Sequence, residues 1–267
     1  HYPMSRTLIK GLGILVAFFG VWLLLAQIDF ITIFKIKEAK SSTESGIGNI
    51  IWEQIEKTED VVYNDSIVAT LDSLLLPLCK KNFIERDSLK VHIIHKDEIN
   101  AFAMPDNHLV VYTGLIEASR IEQALVGVLG HEIAHLEGNH VMKKLSKEIG
   151  FSVLLSLTGA NSSMIKEVIS TLSSSAYDRN LEQEADLKSV EYMMNAAIDP
   201  RPFADFMYEL SIDNEMHKYT YWISTHPESE ARAKYILNRI KGKKIKSKPI
   251  LNKKSWEIFK QQIRDNK

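Results

Sequence analysis

Hydrophobic and polar positions change period several times along this chain. Residues 11–26 are an unbroken run of 16 apolar residues and glycines. Extended to Leu8 and Ile28, the stretch covers 21 residues, about 31 Å of helix, enough to cross a hydrocarbon core. No face of it is polar, and Leu24-Leu25-Ala26 is a poor cleavage site for a signal peptide. The pattern therefore predicts an uncleaved N-terminal membrane anchor. Arg6 and Lys10 flank one side, and Lys35, Lys37 and Lys40 the other, so the distribution of cations leaves its orientation open. His1-Tyr2-Pro3 precede Met4, the expected native start, and residues 1–34 are read as a short extraneous remnant plus the anchor.

Past a linker expected at 41–48, apolar positions such as Ile51, Ile55, Ile67, Leu71, Leu74 and Leu75 recur at helical spacing through 50–84. Residues 89–94 switch to a strand-like pattern. Two more extended runs, 100–104 and 108–113, flank Pro105-Asp106-Asn107, whose turn chemistry predicts a β-hairpin. From Leu115 to Lys241 the pattern is helical, with breaks near 159–163, 199–200 and 226–227. The apolar stretch 149–157 is too short to span a bilayer and reads as a core helix or a flap beside a cleft. The expected class is α+β and mainly helical, a small sheet set among many helices over 35–240. Residues 241–267 form a basic tail in which Trp256, Phe259 and Ile263 make a weak apolar face.

Composition changes this picture little until it is divided. The chain is 45% hydrophobic and 25% charged with a net charge of −1, which excludes low-complexity and disordered classes. From Arg232 onward, however, 13 Lys and Arg face two acids, so a +11 end offsets a −12 remainder. That end is either solvated or laid on anionic lipid. No nucleic-acid-binding motif accompanies it, and no nucleic-acid partner is expected. The single cysteine, Cys79, excludes an intramolecular disulfide framework and any zinc site built from several thiolates.

The chemistry concentrates in Leu129-Gly-His131-Glu132-Ile-Ala-His135. This H-E-x-x-H pattern puts two histidines on one helical face, where they can grip one metal ion, and places Glu132 to reach a metal-bound water. A catalytic zinc site takes three protein ligands and one open position. Glu182 and Asp186, spaced i and i+4, supply a carboxylate for the third ligand and another to hold a histidine N–H from behind. Glu184 lies about 200° around the helix from Glu182 and should face away. His140, five residues after His135, should point off the ligand face.

Asn100-Ala-Phe-Ala-Met-Pro105, Gly114-Leu-Ile, the H-E-x-x-H segment, Glu182-Gln-Glu-Ala-Asp186 and Ser224-Thr-His-Pro227 occur in that order. The order resembles the zinc peptidase family of the CaaX prenyl endopeptidases, the HtpX heat-shock proteases and the BepA-like and OMA-type proteases, over about 50–240. The resemblance implies a gluzincin domain holding one Zn²⁺ per chain, with His131, His135 and Glu182 as ligands and Asp186 in support. It also implies that His226 and Arg232 lie near the metal or its substrate.

The expected activity is a membrane-anchored zinc endopeptidase acting on unfolded or misassembled polypeptide, with Glu132 as general base and His226 assisting the oxyanion. An extended substrate would add to the sheet edge at Asn100, Ala101, Phe102 and Ala103. By resemblance the enzyme would sit in a bacterial inner membrane with its catalytic domain outside the cytoplasm. The competing expectation is a zinc-containing, chaperone-like binder whose cleft the His226 loop blocks.

Overall fold

The structure is a computed structural model that describes residues 10, 15, 17–19, 43–212 and 220–266. Most of the expected anchor lies outside the described residues, and among those described no helix is long and apolar enough to cross a membrane. Ser45–Lys267 form one compact unit, separate from His1–Glu44.

Where a linker was expected, a helix runs over 43–58 (α1). Ile47, Ile51 and Ile55, at i, i+4 and i+8, bury one of its faces, and that burial outweighs the Ser/Gly composition of its first turn. Helix α2, Asp65–Lys81, starts at Asn64, whose side chain accepts the N–H groups of Ser66 and Ile67. Strands β1 (Lys90–Ile94), β2 (Ala101–Met104) and β3 (His108–Tyr112) form a sheet of order β1-β3-β2. β1 pairs with β3 in parallel, and β2 with β3 antiparallel through the expected hairpin, with Met104 opposite His108. Asp106 and Asn107 both take left-handed backbone (φ 65° and 58°), which short polar side chains tolerate.

β3 is buried at every position because the sheet is covered on both faces. Leu109 and Val111 belong to the larger core, shared with α2 and the later helices. Val110 and Tyr112 belong to a second core closed by α1 and residues 141–172. The helices that follow are α3 (Thr113–Ala118), α4 (Glu122–Glu137), α5 (His140–Leu145), α6 (Phe151–Leu155), α7 (Ser162–Ser174), α8 (Arg179–Asn195), α9 (Arg201–Ile212), α10 (Thr220–Thr225), α11 (Ser229–Ile240) and α12 (Lys253–Asp265). The 149–157 stretch is broken into short turns, of which Leu154 and Leu157 enter the second core.

The basic end is not a free tail in this fold. Trp256, Phe259 and Ile263 of α12 are buried in the larger core, and the Glu122 carboxylate accepts the N–H groups of Ile250 and Leu251. Lys241, Lys243, Lys244, Lys246 and Lys248 stay exposed.

Helix α4 is the axis of the unit: all but three of its 16 residues are buried, so it is apolar all round rather than amphipathic. Gly127 lets α9 lie directly on it, since a Cβ there would come within 2.4 Å of Phe203. The Gly127 carbonyl also accepts the Ser189 hydroxyl from α8 at 2.7 Å. Gly127→Ala is expected to cost about 1–3 kcal/mol by overpacking. Urea unfolding should show a lower midpoint at unchanged slope; an unchanged midpoint would mean that α4 and α9 can part freely.

Candidate metal centre

Helical spacing stacks His131 and His135 on the α4 face that meets α8, which brings Glu182 and Asp186 opposite them. The loop after α10 lowers His226 onto the same point, and α11 carries Arg232 beneath it. All of these side chains, with Glu132, are 3% exposed or less.

His131, His135, Glu182 and His226 each offer one ligand atom, and the four atoms lie within 4.8 Å of one another. His131 Nε2 is 3.0 Å from His135 Nε2 and 3.3 Å from His226 Nδ1. Glu182 oxygens lie 3.2 Å from His135 Nε2, 3.1 Å from His226 Nδ1 and 3.7 Å from His131 Nε2. A tetrahedron with metal–ligand bonds of 2.0–2.1 Å has edges of about 3.3 Å, and these separations cluster on that value. Three imidazoles and a carboxylate gathered this closely suit a cation between them. The residues therefore fit a metal ion.

The groups behind the four donors are equally ordered. Asp186 Oδ1 sits 2.8 Å from His131 Nδ1, which leaves Nε2 free to bind. Arg232 holds Asp186 with Nε and Nη2, both at 2.7 Å, and Glu182 with Nη1 at 2.7 Å. Burial opposes the charged form of Asp186, but Arg232 and His131 outweigh it and hold the carboxyl at about 2. Glu182 also lies well below the usual range, held down against burial by His226, Arg232 and His131. Burial, with His131 second, pushes His135 down to about 3, so it is the neutral imidazole a metal requires.

Glu132 stands one step from the donor atoms. Its Oε2 accepts the Ala103 N–H at 3.0 Å, and its Oε1 is 3.3 Å from His226 Nε2. Burial raises its pKa, yet the contacts with His226 and the other histidines bring it below the ordinary value, so it is ionised at neutral pH.

All the candidates taken from the helical motifs thus meet at one point. Of the edge-strand group, Ala103 touches Glu132, whereas the Asn100 side chain instead donates to the Ser173 carbonyl of α7 at 3.0 Å. His140 is structural rather than exposed and stays out of the donor set, but it reaches the back of His135. Helix α4 stops at Gly138, Asn139 takes left-handed backbone (φ 56°), and the chain returns so that His140 Nδ1 lies 2.9 Å from His135 Nδ1. A Cβ on Gly138 would sit 2.3 Å from that ring. Glu184 points away from the donors as expected, yet its carboxylate reaches within 3.5 Å of His140 Nε2. Two further residues were not singled out from sequence: Tyr177, stacked 3.8 Å from the His135 ring, and Trp222, 4.1 Å from the His226 ring. The Gly-Asn pair after H-E-x-x-H was a readable turn signal for His140, while nothing local marks the two aromatics.

The sequence profile of peptidase family M48 matches residues 67–240, about two thirds of the chain. The chain belongs to peptidase family M48. The mitochondrial metalloendopeptidase OMA1 of Bos taurus is 28% identical over 163 residues, covering 55% of this chain and 31% of that protein. The Arabidopsis thaliana OMA1 is 27% identical over 157 residues (57% and 32%). The β-barrel assembly-enhancing protease of Yersinia pestis is 22% identical over 236 residues (82% and 48%). The chain thus spans about a third to a half of the length of these relatives. The family is the one that the motif order implied.

If His140 fixes the tautomer of His135, His140→Gln should weaken metal binding by about 10- to 100-fold. Competition with a chromophoric chelator reads this directly, and unchanged affinity would reduce His140 to packing.

Proposed function

We propose that this chain is a membrane-anchored, zinc-dependent endopeptidase that cuts unfolded or misassembled polypeptide. The observation that carries the reading is Glu132, a fully buried ionised carboxylate beside four converging donors and tied to the edge of the sheet. A protein that only bound clients would have no use for a base there. Tetrahedral spacing of histidines and a carboxylate favours zinc. The apolar N-terminal run supports the anchor, and a bacterial inner membrane with an extracytoplasmic domain is the matching location. Relatives named metalloendopeptidase and β-barrel assembly-enhancing protease support both the reaction and a misassembled-protein substrate.

Bound zinc, held by His131, His135 and Glu182, would lower the pKa of a water and polarise the scissile carbonyl. Glu132 takes a proton from the attacking water and delivers it to the leaving amine. The Ala103 N–H fixes one oxygen of that base. Because Asn100 turns its carbonyl toward Tyr112 of β3, alternation turns the backbone groups of Ala101 and the Ala103 carbonyl to the free edge of β2. An extended substrate can add there through main-chain groups with little regard for its side chains.

In the arrangement described, His226 stands as a fourth donor and also meets Glu132, so it occupies both the open ligand position and the base. This favours a second reading of the same residues as a resting form, in which the His226 loop blocks the cleft and must withdraw before hydrolysis. The blocked form is also what a chaperone-like binder would look like.

Glu132→Gln should retain zinc and lose cleavage of unfolded casein, seen by gel; cleavage at the wild-type rate would remove Glu132 as the base. Glu182→Ala should lose zinc, measured by elemental analysis. If the His226 loop blocks the cleft, His226→Ala should raise the casein rate. A fall at full zinc occupancy would instead make His226 the oxyanion donor first expected of it.

A further inference from the structure

A buried ammonium without a carboxylate partner needs an explanation. Lys144, on α5, is 4% exposed, and its Nζ donates to the Leu172 carbonyl at 3.3 Å. The same Nζ lies 4.2 Å over the Tyr177 ring, and among the described residues no carboxylate comes within ion-pairing distance of it. Tyr177 stacks on His135, so its ring must meet Lys144 with the opposite face. The Tyr177 hydroxyl is buried and has no hydrogen-bond partner. A cavity of about 230 Å³ opens between α5 and the start of α8, lined by both residues and by Lys143, Lys147, Glu148 and Asp178. Lys147 and Asp178 satisfy each other at 2.5 Å, Lys143 donates to the Gly138 carbonyl at 3.2 Å, and Glu148 is solvent-exposed. Beside this cavity the protein leaves an ammonium with one hydrogen bond and a hydroxyl with none, a single aromatic ring away from a candidate metal ligand.

We propose that this cavity is a substrate subsite for a carboxylate, with Lys144 as the residue that sets the preference. An ammonium has three donors and only one is used here, while the phenol adds another, so both oxygens of a carboxylate can be met. Burial pushes Lys144 down to about 8, which leaves it mostly charged at neutral pH. A charge-assisted pair formed out of water is among the stronger polar contacts available, and one displaced by a neutral amide loses it. The carboxylate comes either from an Asp or Glu near the scissile bond or from the C-terminus of the substrate chain.

The subsite rests on the endopeptidase reading above, and its test separates the two. Zinc-loaded full-length protein is given internally quenched peptides carrying Glu, Gln or Lys at each position flanking the cleaved bond, and matched peptides ending in a free carboxylate or an amide. Wild type should prefer one carboxylate peptide over its amide counterpart by about tenfold in kcat/KM. The position or terminus that shows the preference identifies the source. Lys144→Met should bring the Glu-to-Gln ratio to about one, Lys144→Arg should keep it above one, and Lys144→Glu should invert it toward the Lys peptide. Ratios within one variant are insensitive to the fraction folded. Anisotropy of the labelled Glu and Gln peptides on Glu132→Gln protein, with and without Lys144→Met, gives the same comparison without turnover. A preference in binding with no hydrolysis by the wild type would sink the endopeptidase reading and keep the subsite. Equal treatment of carboxylate and amide by the wild type, or a preference that survives Lys144→Met, would overturn the subsite.

Discussion

The constraint on which this structure depends is charge balance in a dry interior. Glu132, Glu182 and Asp186 are buried together, and among the described residues the one fixed cation in contact with them is Arg232. Three carboxylates against one guanidinium leave two negative charges, and each uncompensated buried charge costs several kcal/mol. A divalent ion at the point where the four donors converge cancels that excess. The same carboxylates raise His226 above its ordinary pKa, Glu182 and Glu132 together outweighing its burial.

The rest of the fold keeps that excess charge in place and out of water. α4 can carry His131, Glu132 and His135 into the interior because its apolar residues point in all directions and glycine at 127 admits α9. α8 and α11 then close over the site with Asp186 and Arg232 in a two-point pair, and Arg232 reaches Glu182 with its remaining nitrogen. Such a pair is an uncertain source of stability, because desolvation offsets most of the attraction. Its use here is orientation. It locks the ring of His131 through Asp186 and sets Glu182 at ligand distance from both imidazoles of α4.

What could be read from sequence follows the range of each interaction. The His131/His135 and Glu182/Asp186 pairs each depend on spacing within one helix, and a helix face is local information. The hairpin was legible for the same reason, since Pro105-Asp106-Asn107 dictates its own turn. His140 stays out of the donor set as expected, but its contact with His135 was not foreseen, because helical projection stops at Gly138, where the helix ends and the chain turns back. The start of α1, in the expected linker, and the docking of α12 were missed because both form by burying a narrow apolar face against distant elements, against their local composition. Tyr177 and Lys144 belong to neither motif, and only tertiary packing brings them beside His135.

The groups that hydrolysis would need lie against one another in this arrangement. One oxygen of Glu132 holds the Ala103 N–H, the other faces His226, and His226 stands among the metal donors. The last turn of α7 is fastened from two sides, Leu172 by Lys144 and Ser173 by Asn100. A ligand can shift such a closed state only by binding the open one more tightly, so it must replace what opening removes. A folded protein has few free backbone groups to offer in exchange. An extended chain offers a row of them to β2, and one that also carries a carboxylate can answer Lys144. On the proposed reading, unfolded polypeptide is the substrate that brings the most such replacements at once.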